Sequence, residues 1–352
     1  MLNKIIESSN IDAVFITDMY NLRYFTGFTG TTGIALATKE GNFFFSDFRY
    51  KEQGAKQVEA NGFTFVEVGR NSLDKVKELI DKFGIKKLGF EDLNMTFSYY
   101  KKIEELFKVE LVQLGSILSN QRLIKKDFEI ENIKKAIEVS DIAFEETIKI
   151  VKVGISEKEV AAHLEYIQRK LGAEDRSFNT IVASGYRSAL PHGVASDKKI
   201  GNNELVTVDF GAYYNGYVSD MTRTFFVGDK IEDKQKEIYN IVLEANLLAI
   251  KHVKAGIKGS DLDKIARDYI ADKGYGDNFG HGLGHGIGLE IHEAPTVSPL
   301  GDIVLEENML ITIEPGIYIE GYSGVRIEDD IIVKKDGCEI LNKTSKELLM
   351  IK

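Results

Sequence analysis

The sequence of 352 residues contains a single cysteine, Cys338. One thiol cannot form a disulfide bond within the chain, and it does not supply the several thiolates of a cysteine-based metal site. Because chains in oxidising compartments commonly carry paired cysteines, this composition is typical of a reducing compartment. The sequence therefore predicts a cytoplasmic protein without a thiolate-bound metal.

Long apolar runs and concentrated positive charge are also missing. No run of 18 apolar residues occurs, so no membrane-spanning helix is expected. The apolar pattern at the start of the chain is interrupted by Glu7 and Ser8, which indicates an amphipathic helix rather than a secretion signal. The formal net charge is −10, and no basic stripe interleaved with aromatic residues is present. Nucleic acids and membranes are therefore not expected as partners.

The length of the chain favours two domains. Over residues 1–122, short apolar runs alternate with helical patterns, which predicts an N-terminal α/β domain. Strands are predicted within residues 11–18, 33–39, 42–47, 86–92 and 109–114.

Residues 123–352 have a different pattern, in which long helices accompany a largely antiparallel sheet. A helix is predicted to begin at Asp127, and Ser156 with Glu159 forms the capping box of the next one. Further helices are predicted over residues 234–253 and 260–273, and strands over residues 204–214, 217–227, 309–314 and 324–333. This pattern predicts a C-terminal α+β domain.

Two aspartates lie in a predicted β-hairpin, where aspartate is uncommon. The pair Asn215-Gly216 is typical of a two-residue type I′ turn, which places Asp209 opposite Thr222. Because side chains alternate between the faces of a strand, Asp209 and Asp220 become diagonal neighbours on one face, about 7–8 Å apart at the backbone. Two carboxylates are therefore expected to converge on one point.

Two buried carboxylates repel each other unless one is protonated, and a cation removes that conflict. Further candidate ligands lie in three stretches: MLITIEPGIY, GVRIEDDIIV and the glycine-rich GHGLGHGIGLEIHE, where backbone can approach a ligand closely. The predicted metal ligands are Asp209, Asp220, His285, Glu314 and Glu328.

These four carboxylates and one imidazole carry a formal charge of −4, which two divalent cations would balance. Oxygen-rich ligation with one histidine suits Mn²⁺, Co²⁺, Fe²⁺ or Zn²⁺. Two such ions about 3.5–4 Å apart can share a water molecule and lower its pKa. The predicted chemistry is hydrolysis.

The stretches VDFGAYYNGYVSDMTRTF, GHGLGHGIGLEIHE, TIEPGIY and GVRIEDD occur in the order found in the pita-bread metallopeptidases, and the whole chain resembles that family. The resemblance implies a C-terminal pita-bread (creatinase/aminopeptidase) catalytic domain and a smaller creatinase-like N-terminal domain. It also implies two divalent ions, with Mn²⁺ as the first expectation. Relatives of this family are commonly dimers, so a homodimer is expected.

The resemblance implies a role for each predicted ligand. Asp209 resembles the bidentate ligand of one metal ion. Asp220 and Glu328 resemble carboxylates that bridge two ions, and His285 and Glu314 resemble ligands of the second ion.

The same resemblance implies residues that act on the substrate. Glu314 resembles the general base that takes the proton of the nucleophile. His192 and His292 resemble a pair that binds the scissile carbonyl and transfers protons, while His281 resembles an accessory histidine near the substrate. Arg326 shares a strand face with Glu328 and is expected to orient it.

The N-terminal domain argues against a methionine aminopeptidase, and the complete ligand set argues against a metal-free creatinase. The resemblance then implies hydrolysis of the Xaa-Pro bond of small peptides with proline in the second position. Some prolidases place an arginine shortly after the HE-x-P segment, whereas this chain has Thr296 there and no arginine before Arg326. We therefore expect an Xaa-Pro aminopeptidase, with an Xaa-Pro dipeptidase (prolidase) as the alternative and a non-catalytic peptide-binding module as a more remote one.

Overall fold

The computed structural model describes residues 1–69 and 71–352, which form two compact units, Met1–Arg122 and Leu123–Lys352. Within these described ranges, no helix combines the length and the apolar character needed to cross a bilayer.

The N-terminal unit is built on a six-stranded sheet. Its strands are β1 (Ala13–Ile16), β2 (Ile34–Thr38), β3 (Asn42–Ser46), β4 (Phe63–Glu67), β5 (Lys87–Phe90) and β6 (Glu110–Gln113). Its helices are α1 (Leu2–Ser8), α2 (Met19–Thr26), α3 (Lys51–Glu59), α4 (Ser72–Lys82) and α5 (Phe97–Phe107). The strand order is β4-β3-β2-β1-β5-β6, with parallel and antiparallel neighbours, as expected for an α/β unit.

Strand β4 is the one strand of this sheet that the sequence patterns did not predict. It lies at the edge of the sheet, and Phe63 is its only buried residue. Phe63, Thr64 and Phe65 alternate between apolar and polar, but Val66 ends the alternation after three residues, which is too short a run to predict a strand.

A buried carboxylate ties two loops of this unit together. Glu91, which is 4% exposed, accepts hydrogen bonds from the backbone N–H groups of Thr17 and Asp18 and from the side chain of Asn21. We expect Glu91→Ala to lower the free energy of unfolding by about 2–4 kcal/mol, because buried donors lose their acceptor. Urea unfolding measures this change, and Glu67→Ala is the control.

Glu67 belongs to the same sheet but lies at the surface, where it pairs with Lys51. Its loss should change the unfolding free energy by less than about 0.5 kcal/mol. Equal effects of the two substitutions would contradict the anchoring role of Glu91.

The C-terminal unit combines long helices with several small sheets. Its helices are α6 (Asp127–Ile148), α7 (Glu157–Lys170), α8 (Asp233–His252) and α9 (Gly259–Asp272). Its strands are β7 (Asp175–Arg176), β8 (Ile181–Ser184), β9 (Glu204–Phe210), β10 (Ala212–Tyr214), β11 (Tyr217–Val218), β12 (Met221–Val227), β13 (Gly284–Gly286), β14 (Glu293–Val297), β15 (Leu310–Ile313), β16 (Gly316–Ile319), β17 (Ser323–Arg326), β18 (Asp329–Lys334), β19 (Gly337–Ile340) and β20 (Met350–Ile351).

Helix α7 begins where its capping signal predicts. Ser156 Oγ accepts from the backbone N–H of Glu159, whose carboxylate accepts in return from Ser156 N. This reciprocal pair is the predicted capping box, and it starts α7. Helices α8 and α9 bury one face each in the largest apolar core of the unit, together with residues of β15, β17 and β18.

The strand pairing in this unit is mostly antiparallel. One sheet has the order β20-β12-β9-β8 and another has the order β14-β13-β15-β18-β19. Helices therefore pack on antiparallel sheets, which agrees with the predicted α+β class.

The predicted hairpin has the predicted register. Asn215 and Gly216 both have positive φ, +46° and +84°, as a type I′ turn requires. Strands β9 and β12 pair antiparallel, with Asp209 opposite Thr222. Asp209 lies in β9 and Asp220 directly before β12, because the hairpin is split between two sheets, one with β9 and β12 and one with β10 and β11.

Candidate metal centre

All nine residues that the sequence singles out line one cavity of about 830 Å³. These residues are His192, Asp209, Asp220, His281, His285, His292, Glu314, Arg326 and Glu328. The volume lies within the usual range for small-molecule sites. Its acidic side chains come from strands of the C-terminal unit or from residues directly next to them.

Three of the acidic and imidazole groups form the tightest cluster. Asp220, His285 and Glu328 each offer one ligand atom, and these atoms all lie within 4.8 Å of one another. His285 Nε2 lies 3.6 Å from Asp220 Oδ2 and 3.4 Å from Glu314 Oε1. Glu314 therefore borders the cluster from the end of β15.

The glycines beside His285 let its strand fit between two others. Strand β13 pairs with both β14 and β15. A Cβ atom at Gly284 would collide with the carbonyl oxygen of Thr312, and one at Gly286 with that of Ala294. These glycines therefore allow close packing of strands, which places His285 in the cavity wall, rather than the close approach of backbone to a ligand that the sequence suggests.

Asp209 is held differently from the other acids. Arg326 Nη2 donates to Asp209 Oδ2 at 2.5 Å, and both side chains are largely buried. Asp209 Oδ1 is also buried, and it has no hydrogen-bond partner among the residues that the structure describes. A buried carboxylate oxygen without a partner is costly, so this atom is available to an additional ligand.

Arg326, which the sequence predicts to orient Glu328, reaches that residue through Thr222. Arg326 Nε donates to Thr222 Oγ1 at 3.0 Å, and Thr222 Oγ1 donates to Glu328 Oε2 at 2.7 Å. The guanidinium group thus contacts Asp209 directly, whereas Thr222 lies between it and Glu328. Sequence alternation placed the residues on one face but did not identify the hydroxyl between them.

Tyr318 is a site residue that sequence reasoning missed. Its hydroxyl group is 2.8 Å from Arg326 Nη1, which donates to it, and 2.9 Å from His281 Nε2. Burial raises the pKa of Tyr318 to about 12, so the hydroxyl stays protonated. The residue lies four positions after Glu314, within the quoted stretch TIEPGIY, which was the only available signal.

The histidines of the cavity favour their neutral form. Burial is the main cause that lowers the pKa of His285 to about 4, and burial likewise lowers the pKa of His281 to about 4. Burial also lowers the pKa of His292, whose ring centroid is 4.4 Å from that of His285. A neutral imidazole has a free nitrogen lone pair, which is the form that binds metal ions.

The pKa values of three acidic groups in the cavity are raised rather than lowered. Burial, followed by the charges of Glu328 and Asp209, raises the pKa of Asp220 well above its usual range. Burial and then Glu314 raise the pKa of Glu328, and burial raises that of Glu314 to about 8. Several carboxylates thus crowd one site, with Arg326 as the only arginine or lysine among the described residues of the cavity wall.

His192 reaches the cavity on a loop that one carboxylate closes. Glu157, fully buried at the start of α7, accepts from the backbone N–H groups of Ser184 and Ser196 at 2.8 and 3.0 Å. It also accepts from Arg187 Nε at 3.0 Å. Both ends of the segment that carries His192 are therefore attached to the same side chain.

The donor set fits divalent cations. The site combines the close Asp220, His285 and Glu328 cluster, the unpartnered oxygen of Asp209 and the adjacent Glu314. Their mutual repulsion would be relieved by positive charge, and oxygen with one imidazole suits the ions expected from the sequence.

Comparisons with known proteins give the following matches. Residues 131–335 match the family described as Metallopeptidase family M24, and residues 1–124 match the Creatinase/Prolidase N-terminal domain. An Xaa-Pro dipeptidase of Pyrococcus horikoshii is 42% identical, over 99% of this chain and 98% of that protein.

Two solved structures are also similar over almost their whole length. An Xaa-Pro dipeptidase from Bacillus anthracis is 48% identical with a TM-score of 0.96, and an X-Pro aminopeptidase from Thermotoga maritima is 42% identical with a TM-score of 0.91. Each match covers 99% of this chain and 98% of the other.

Proposed function

Because the chain belongs to Metallopeptidase family M24, we propose that it is a metal-dependent Xaa-Pro dipeptidase, which hydrolyses the bond before proline in dipeptides. The family assignment confirms the predicted resemblance, the two-domain fold class and the prediction of a hydrolase. The family implies divalent metal ions. The preference for Mn²⁺, the homodimer and the cytoplasmic location stay predictions.

The observation that carries this proposal is the combination of the cavity and the relatives. The predicted acids and histidines line one cavity, and similar proteins named Xaa-Pro dipeptidase match this chain from end to end. The sequence alone favoured an aminopeptidase because no arginine follows the HE-x-P segment. The relatives favour the dipeptidase alternative instead.

In this proposal, the five predicted ligands hold two divalent cations: Asp209, Asp220, His285, Glu314 and Glu328. When bound, the cations supply Lewis acidity for hydrolysis of a peptide bond. Glu314 takes the proton of the attacking water, a role open to a carboxylate that bound cations would keep ionised. His192 and His292 bind the scissile carbonyl and pass a proton to the leaving nitrogen.

The Arg326 guanidinium has a supporting role in this scheme. It donates to Asp209 Oδ2 and, through Thr222, fixes Glu328. Tyr318 donates its hydroxyl proton towards His281 while it accepts from Arg326, which links the histidine to the same network. These contacts hold the acids in place before a substrate arrives.

A second candidate function, an Xaa-Pro aminopeptidase, is favoured by the charge of the cavity wall. A dipeptide ends in a carboxylate directly after proline, and a dipeptidase needs a group to bind it. Arg326, the sole arginine or lysine of the described cavity wall, already pairs with Asp209. A site without a free cation would accept longer peptides equally well.

A panel of peptide lengths separates the two candidates. The protein is stripped with a chelator, reloaded with Mn²⁺ or Co²⁺, and assayed on Ala-Pro, Ala-Pro-Ala and Ala-Ala. We expect cleavage of Ala-Pro with a kcat/KM at least about tenfold above that for Ala-Pro-Ala, a difference of about 1.4 kcal/mol in transition-state binding.

The controls decide between the remaining outcomes. Preference for Ala-Pro-Ala would support the aminopeptidase and contradict the dipeptidase. Activity that survives complete metal removal, or equal cleavage of Ala-Ala, would reject a metal-dependent Xaa-Pro peptidase of either kind.

A further inference from the structure

A buried asparagine lies directly behind the acidic strand ends. Asn246, in α8, has no exposed surface, and its Nδ2 donates to the carbonyl oxygens of Ile313 at 2.9 Å and Ile327 at 3.3 Å. Each of these residues immediately precedes an acid that faces the cavity, Glu314 or Glu328. One side-chain amide therefore connects the two backbone segments that carry these acids.

The two carbonyl groups lie where regular strand pairing stops. Ile313 is the last residue of β15, and Ile327 lies between the end of β17 and the start of β18. At such positions the backbone has fewer ladder hydrogen bonds to hold it, so a side-chain donor has a larger effect on its position. Asn246 supplies that donor at both places.

The orientation of the amide group is determined by a lysine near the end of the chain. Lys346 Nζ donates to Asn246 Oδ1 at 2.8 Å and to Asp329 Oδ2 at 2.8 Å. An ammonium group can only donate, so it must face the amide oxygen, and the amide nitrogen must then face the carbonyl groups. The positions of the amide oxygen and the amide nitrogen of Asn246 are therefore both determined by their hydrogen-bond partners.

The same network reaches Glu328 from a second direction. Arg223, which is buried, donates to Asp329 Oδ1 and also to the carbonyl oxygens of Glu328 and Thr222. The buried pair of Arg223 and Asp329 is therefore continuous with Lys346 and the asparagine. None of these four side chains lines the cavity, so their contact with the site is through the backbone.

We propose that Asn246 is a positioning residue, which sets the separation of Glu314 and Glu328 and thereby the affinity of the site for divalent cations. This inference rests on the proposed metal-binding role of the two acids. Residues that orient metal ligands typically change metal affinity about 10–100-fold when they are replaced. Carboxylates on separate strands need such a constraint, because a displacement of about 0.5 Å is enough to spoil a coordination geometry.

The substitution Asn246→Asp tests the proposal with little change of volume. One carboxylate oxygen still accepts from Lys346, while the other replaces the donor and faces two carbonyl oxygens, which it repels. The metal-free protein is titrated with Co²⁺, and visible absorption of the bound ion reports both affinity and coordination. We expect the dissociation constant to rise about 10–100-fold and the absorption spectrum to change shape.

The control is Val242→Ala, one turn earlier on the buried face of the same helix. This change removes core packing from α8 and lowers Tm, but it leaves both hydrogen bonds of the amide in place. Its Co²⁺ affinity and spectrum should stay like those of the wild type. A general loss of stability is thereby separated from a change in ligand position.

The outcomes are distinct. If Asn246→Asp binds Co²⁺ like the wild type, or if Val242→Ala changes the affinity as much, the proposal is wrong. If Asn246→Asp does not fold, Lys346→Met decides: a weaker affinity and an altered spectrum support the proposal, and unchanged binding overturns it. A wild-type chain that binds no Co²⁺ would instead overturn the proposed function, and this inference with it.

Discussion

Glu314→Gln is expected to lower kcat for Ala-Pro about 10²–10⁴-fold, the usual contribution of a general base. Glutamine has nearly the same shape and keeps one carbonyl oxygen near His285, but its amide cannot accept a proton at neutral pH. The substitution should not unfold the chain. Burial makes the charged form of Glu314 unfavourable and raises its pKa to about 8, so a neutral side chain is tolerated there.

The measurement is steady-state kinetics on the metal-loaded protein, with metal content determined for each variant. Glu320→Gln is the matched control, since Glu320 lies six positions later and is exposed. This substitution makes the same chemical change outside the cavity, so we expect kcat to equal that of the wild type. If Glu314→Gln retained more than about a tenth of wild-type kcat with a full complement of metal, Glu314 would not be the base.

The metal-free protein is expected to lose stability as the pH rises from about 6.5 to about 8, where the buried histidines are mostly neutral in both the folded and the unfolded chain. In the unfolded chain, a glutamate titrates near its usual value of about 4.3. In the folded chain, burial raises the pKa of Glu314 to about 8, so the folded state binds this proton more tightly. Its contribution to stability is therefore complete below the unfolded pKa and disappears as the pH passes through the folded pKa.

Asp220 and Glu328 also lower the stability of the metal-free protein as the pH rises. Burial and repulsion raise the pKa of Asp220 and of Glu328, so their ionisation also opposes folding when no cation is present. Each pH unit over which only the folded state keeps this proton corresponds to about 1.4 kcal/mol, which gives a loss of about 2 kcal/mol for Glu314 alone between pH 6.5 and pH 8.

Urea unfolding of chelated protein over this pH interval measures the loss. Added Mn²⁺ should reduce it, because a bound cation favours the ionised carboxylates. Asp220→Asn removes one of the crowded charges and should make the metal-free protein less sensitive to pH. Stability that rises with pH in the metal-free wild type would contradict the interpretation of the site as an acidic cluster built around cations.

Local sequence signals predicted a large part of the fold and of the cavity. The Asn215-Gly216 turn determines the hairpin register, since positive φ at both positions favours one turn type and that turn sets the pairing of Asp209 with Thr222. Capping signals predicted the start of α7 equally well. The edge strand β4 was missed because its alternation of apolar and polar residues extends over only three positions.

By itself, the sequence determined the family, the fold class and the identity of the acids and histidines that line the cavity, because turns, caps and short motifs act over a few residues. Only the tertiary structure decided which groups support them. Asp209 and Arg326 are 117 positions apart, and Asn246 and Lys346 are 100 positions apart. Such partners meet only when separate helices and strands pack together, and neither spacing nor periodicity encodes contacts over that distance.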